Sequence, residues 1–84
     1  MPTIATVSKI TFQVRTIISE KLGVEESALT ADAHFSDDLG LDSLDVLEAF
    51  MEVEKKFGIK IADEEAEKLT SLGDVVDYIA AHRN

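Results

Sequence analysis

The segment DSLDVLEAFMEVEKKFG, residues 42–58, holds a helix start, an apolar period and a helix stop in one short run. Asp42 suits an N-cap, and Asp45 stands at the third helical position, where its carboxylate reaches back as in a capping box. Leu44, Leu47, Phe50, Met51 and Phe57 follow at helical spacing, with Val46 and Val53 beside them. Gly58 then occupies the place where a glycine ends a helix. The segment predicts a helix that begins at Ser43 and stops at Gly58.

On its N-terminal side, Ile10, Val14, Ile17, Ile18 and Leu22 form one stripe of an earlier amphipathic helix, closed by Gly23 and started by Ser8 or Thr6. Residues 1–7 read as a frayed or short helical extension. Residues 24–42 show no sustained period and are rich in turn and cap formers, including Thr30, Asp32, Ser36 and Gly40. Leu29, Phe35, Leu39 and Leu41 are their apolar anchors, so this long loop is expected to pack over the bundle. Past Gly58, Ile59 and Ile61 flank Lys60, too short a run for a sheet, and a tight connection burying Ile61 is expected. Asp63 can cap a short helix over residues 64–69. Ser71 with Asp74 three residues later starts a last helix whose stripe is Leu72, Val75, Val76 and Ile79. The expectation is an all-α, four-helix bundle spanning residues 1–84 as a single domain. It has three longer helices, one short third helix and a long loop between helices one and two.

At 84 residues and 9.2 kDa, the chain has room for one small core. It has no cysteine, which excludes disulfides, thiol nucleophiles and thiolate metal sites and fits a reducing compartment. A net charge of −9 makes nucleic acid and anionic membranes poor partners and basic protein surfaces natural ones. No apolar run approaches a membrane span, and the N-terminus lacks the pattern of a secretory signal. Residues 1–19 hold Lys9 and Arg15 and no acid, faintly like an organellar presequence, but they also carry the face of the first helix.

Catalytic machinery is hard to assemble from these residues. His34 and His82 are the only histidines, and both suit solvated or capping roles. Residues 40–44 lack the second glycine of a nucleophile elbow. The acids Asp32, Asp37, Asp38, Asp42 and Asp45 fit no register of an EF-hand loop, and no histidine pair has ligand spacing, so no metal site is expected. Charge distribution says more. Residues 32–54 contain eight acids and no base, and Asp45, Glu48 and Glu52 share one helical face. That face is either solvated or a docking surface for a basic partner. Ser43 stands at the exposed junction of loop and acidic helix; alone it reads as a helix-start residue, yet its hydroxyl is open to modification.

Residues 37–45, DDLGLDSLD, resemble the attachment motif of acyl carrier proteins. The likeness extends over roughly residues 8–82, through Leu22-Gly23-Val24, Glu52-Val53-Glu54, residues 57–61 and 63–69, and Val75 to Ile79. It implies that Ser43, within a motif formed with Asp42 and Leu44, receives 4′-phosphopantetheine from coenzyme A through a phosphopantetheinyl transferase. The arm's thiol would carry acyl groups as thioesters, making the chain a phosphoprotein and a shuttle rather than an enzyme. The implied setting is dissociated fatty-acid synthesis in the cytoplasm, or in an organellar matrix in a eukaryote, as a monomer visiting enzymes with basic docking patches. Leu44, Asp45, Leu47, Glu48, Met51, Glu52, Glu54 and Ile61 match the family's partner-contact positions. The implied acyl pocket lies between helices two and three, lined by Phe35, Leu39, Leu47, Phe50, Ile61, Ala66, Leu69 and Tyr78, residues that any such bundle would also use as core. Ala62 replaces a proline common in relatives, and Lys55 and Lys56 stand where acids are frequent. A carrier of the same fold for polyketide, lipid A or aminoacyl transfer, or an acidic interaction module, are the alternatives.

Overall fold

A computed structural model describes residues 3–82. It contains α1 (Ile4–Leu22), a 3₁₀ turn (Glu26–Ala28), α2 (Ser43–Phe57), α3 (Asp63–Ala66) and α4 (Leu72–His82). The architecture is the expected all-α bundle with three long helices and one short one. The one extended pairing among the described residues is an isolated antiparallel bridge between His34 and Ser71.

α1 starts earlier than Ser8 or Thr6 would place it. Thr3 is the cap, its hydroxyl accepting from the Thr6 N–H at 3.1 Å. Val7 extends the apolar stripe by one turn and packs against the core, so the helix is worth forming from Ile4 onward. Most of the expected extension is therefore helix, and residues 1 and 2 lie outside the described residues. At the other end, α3 is shorter than residues 64–69: Asp63 is its first residue and Ala62 its cap position, without a side-chain cap bond. Turn bonds from Lys68 to Glu65 (2.9 Å) and from Leu69 to Ala66 (3.2 Å) replace the last helical turn.

The remaining boundaries agree with their signals. Ser71 Oγ accepts from the Asp74 N–H at 3.2 Å while Asp74 Oδ2 accepts from the Ser71 N–H at 3.2 Å, a reciprocal cap. Asp74 Oδ2 also accepts from the N–H and the hydroxyl of Thr70. Slight burial pushes the Asp74 pKa up, but these bonds outweigh it and hold the carboxyl below its usual range. Gly58 closes α2 in the left-handed conformation, φ 64°.

The core is built chiefly by α1 and α4. Ile10, Val14 and Ile18 from one, and Leu72, Val75 and Ile79 from the other, are almost wholly buried, with Val53 of α2 against them. The loop between α1 and α2 contributes Leu29 and Phe35 to that core. It is pinned across the start of α4: Phe35 donates to the Thr70 carbonyl, and Leu72 and Gly73 donate to the carbonyls of Ala33 and Ala31. The loop thus satisfies free amides at the α4 N-terminus and carries Phe35 toward α2.

Candidate functional site

Asp42 and Asp45 form a complete capping box at the head of α2: Asp42 Oδ1 accepts from the Asp45 N–H at 2.9 Å, and Asp45 Oδ2 accepts from the Asp42 N–H at 3.4 Å. Because Asp42 supplies the capping oxygen, Ser43 is not spent on the helix start. Ser43 is exposed at the first helical position.

Ser43 also stands on the wall of a cavity of about 740 Å³. Leu41, Val46, Leu47 and Phe50 line it on the α2 side. Phe35 faces them from the loop, its ring edge-on to Phe50 with centroids 6.0 Å apart. Ala66 and Leu69 form the opposite side, on α3 and the turn after it. Its polar lining includes Asp37, Asp42, Asp63 and Glu67, with His34 beside them and no Lys or Arg among the described lining residues. An exposed hydroxyl beside an apolar space of this size suits a long arm with an apolar load.

Of the residues expected to line an acyl pocket, Phe35, Leu47, Phe50, Ala66 and Leu69 do line this cavity. Leu39, Ile61 and Tyr78 do not. Leu39 packs against the core from the loop, Ile61 is buried at 7% exposure, and Tyr78 donates its hydroxyl to the Lys60 carbonyl at 3.2 Å. Leu41 and Val46 take their place; Leu41 lies within residues 37–45 and Val46 follows directly after them, and that adjacency to Ser43 was the signal available for them.

The expected partner-contact residues divide. Leu44, Leu47 and Met51 are large apolar side chains with 64%, 45% and 54% exposure, spaced along one outer face with exposed Glu48. Asp45 is half-buried in the capping box. Glu52 has Lys21 at 3.9 Å and Lys55 at 3.8 Å. Glu54 is engaged within the fold by the Ile61 N–H at 2.8 Å. Ile61 needs correction: its side chain belongs to the core and not to the exposed face.

The histidines have local partners. His34 Nδ1 lies 3.1 Å from the Asp32 carbonyl and 3.7 Å from Asp38, and His82 Nδ1 lies 2.8 Å from the Tyr78 carbonyl with its ring stacked on Tyr78.

Comparison with known families matches residues 13–79 to the phosphopantetheine attachment site family. The chain belongs to that family. The match spans most of the chain, including α2, the cavity and α3. Its prosthetic group is 4′-phosphopantetheine, and such domains carry acyl groups between enzymes without catalysing a reaction themselves. The exposed hydroxyl at the α2 start and the adjoining cavity fit that group. No helix among the described residues is long and apolar enough to cross a membrane.

Proposed function

We propose that Ser43 is the attachment residue and that the chain serves dissociated fatty-acid synthesis, in the cytoplasm or an organellar matrix, as a monomeric shuttle between separate enzymes. The observation that carries this reading is Ser43, exposed and free of capping duty, on the wall of a cavity lined by Val46, Leu47 and Phe50. When bound, the arm supplies a terminal thiol that holds acyl groups as thioesters, chemistry that a chain without cysteine lacks.

The protein's own residues do the rest. Asp42 and Asp45 hold the first turn of α2 in place while leaving Ser43 open. Leu41, Val46, Leu47, Phe50 and Leu69 offer an apolar load shelter from water. Outside, Leu44 and Met51 form a small apolar anchor, and the acids of residues 32–54 form a field that steers basic surfaces. Charge steering around a small anchor gives fast association without long residence, which a shuttle needs.

The test is intact mass after incubation with coenzyme A and a phosphopantetheinyl transferase, beside Ser43→Ala. One phosphopantetheinyl group gained by the wild type alone is expected. No gain with several transferases, or equal gain in Ser43→Ala, overturns the assignment. Mass analysis of the load on protein isolated from its host then tests the pathway: fatty acyl groups are expected, and an exclusively aminoacyl or polyketide load refutes fatty-acid synthesis.

A further inference from the structure

We propose that the Glu54 carboxylate is the latch on the α3 wall of the cavity, so that a cation engaging Glu54 releases that wall. The proposal rests on the carrier reading only for what the cavity would hold.

Glu54 lies in the last turn of α2 and is half-buried. Its backbone carbonyl accepts from the N–H groups of Gly58 at 2.9 Å and Ile59 at 3.3 Å. Its side chain reaches further along the chain and accepts from the Ile61 N–H at 2.8 Å. One residue therefore ties down most of the connection between α2 and α3. Tyr78 holds the same connection from α4, through the Lys60 carbonyl.

Immediately beyond Ile61 comes α3, which has little else to hold it. It is four residues long, lacks a side-chain cap and contains no buried residue. Buried Ile61 and Leu69 flank it as pegs. Yet Asp63 and Ala66 line the cavity opposite Val46, Leu47 and Phe50. Whatever fixes Ile61 fixes the position of that wall.

Glu54 is thus different from the other acids of its helix. Glu48 is exposed, and Glu52 sits between Lys21 and Lys55. A basic surface that draws Glu54 outward leaves the part-buried Ile61 N–H without its acceptor. An unpaired buried amide is costly, so the connection moves toward water and takes α3 with it. Docking and opening are then two sides of one equilibrium: each favours the other by the same factor.

The test is amide hydrogen exchange on the full chain without the arm, comparing wild type, Glu54→Gln and Glu54→Ala. Gln keeps a carbonyl acceptor and loses the charge; Ala loses both. Ile61 exchange is expected to rise about tenfold or more in Glu54→Ala and several-fold less in Glu54→Gln, with Val14 and Ile79 unchanged. Deca-arginine is expected to accelerate Ile61 exchange in the wild type and add nothing in Glu54→Ala. Equal rates in the two variants, an unchanged Ile61 in Glu54→Ala, acceleration shared with Val14 and Ile79, or no response of the wild type to deca-arginine each overturn the latch. Because no arm is needed, failure at Ser43 and failure at Glu54 are read separately.

Discussion

The two bonds of the α2 capping box are unequal, and this separates the duties of Asp42 and Asp45. The Asp42 bond, at 2.9 Å, is well formed, whereas the reciprocal bond, at 3.4 Å, is at the edge of useful length. Replacing Asp42 by Ala removes the cap, worth about 1 kcal/mol, and a favourable charge at the helix N-terminus, worth a few tenths more. In a domain of this size about 1 kcal/mol corresponds to about 4–8 °C, so Asp42→Ala should lower the melting temperature by about 5–10 °C. Asp42→Asn keeps the capping oxygen and should lose about a third of that or less. Asp45→Ala loses the long bond and a favourable first-turn charge worth a few tenths of a kcal/mol, but gains helix propensity and removes a like-charge neighbour of Glu48, so its net change should stay within about 0.5 kcal/mol. Thermal melts followed by circular dichroism at low salt and neutral pH measure all three. A loss in Asp45→Ala equal to that in Asp42→Ala, or in Asp42→Asn equal to that in Asp42→Ala, would refute the division.

Ile10→Ala, at a residue of 0% exposure, should cost about 2–5 kcal/mol in urea unfolding, while Phe12→Ala, further along the same helix at 65%, should cost under about 0.5. Gly58→Ala should cost about 1 kcal/mol from the left-handed backbone alone, since an added Cβ there meets nothing within 4 Å; the same denaturation series reports it. Asp74 is held ionised by its bonds, so its contribution is full above its unfolded value of 3.8 and is lost as pH falls through the lower folded value. The stability gap between wild type and Asp74→Asn should therefore be larger at pH 6 than at pH 2.5, and a constant gap contradicts the linkage. Adding neutral salt should raise the urea midpoint, because a net charge of −9 repels itself; a steady fall would contradict that.

What was legible in the sequence was written in single residues at element ends. Asp42 with Asp45, Ser71 with Asp74, Gly23 and Gly58 each announce a boundary by their own chemistry, and the structure uses all of them. The start of α1 was less legible, because Thr3, Thr6 and Ser8 are all competent caps and only the packing of Val7 favours the first. The apolar residues of α2 read as one stripe, but Phe50 and Val53 are buried while Leu44, Leu47 and Met51 face outward. Helical spacing says which residues share a face; it does not say which face finds a neighbour. The cavity was legible only in part, since a void lies where helices fail to meet: Val46 borders it and Tyr78, bound to Lys60, does not. The bond from Glu54 to the Ile61 amide joins residues on either side of a turn, and no local signal marks it.

The placement of the core bears on what the site can do. The most deeply buried side chains belong mainly to α1 and α4: Ile10, Val14 and Ile18 against Leu72, Val75 and Ile79. Ser43, the cavity and the Glu54 bond lie on α2 and its connection to α3, where α3 itself buries no residue. Cooperative stability is thus concentrated on one side of the molecule and the adjustable wall on the other. Opening at α3 would loosen Ile61 and Leu69 but leave Ile10, Val14, Ile18, Leu72, Val75 and Ile79 buried, so its free energy lies below that of global unfolding. Phe50 joins the two regions: it is 3% exposed, belongs to the core cluster and also lines the cavity. A smaller residue there would enlarge the cavity and weaken the core at once, whereas Leu47, lining the same space at 45% exposure, can be changed with little cost to the fold. Under the proposed carrier role, residue 47 is accordingly the position at which the cavity can be reshaped at the smaller cost to the fold.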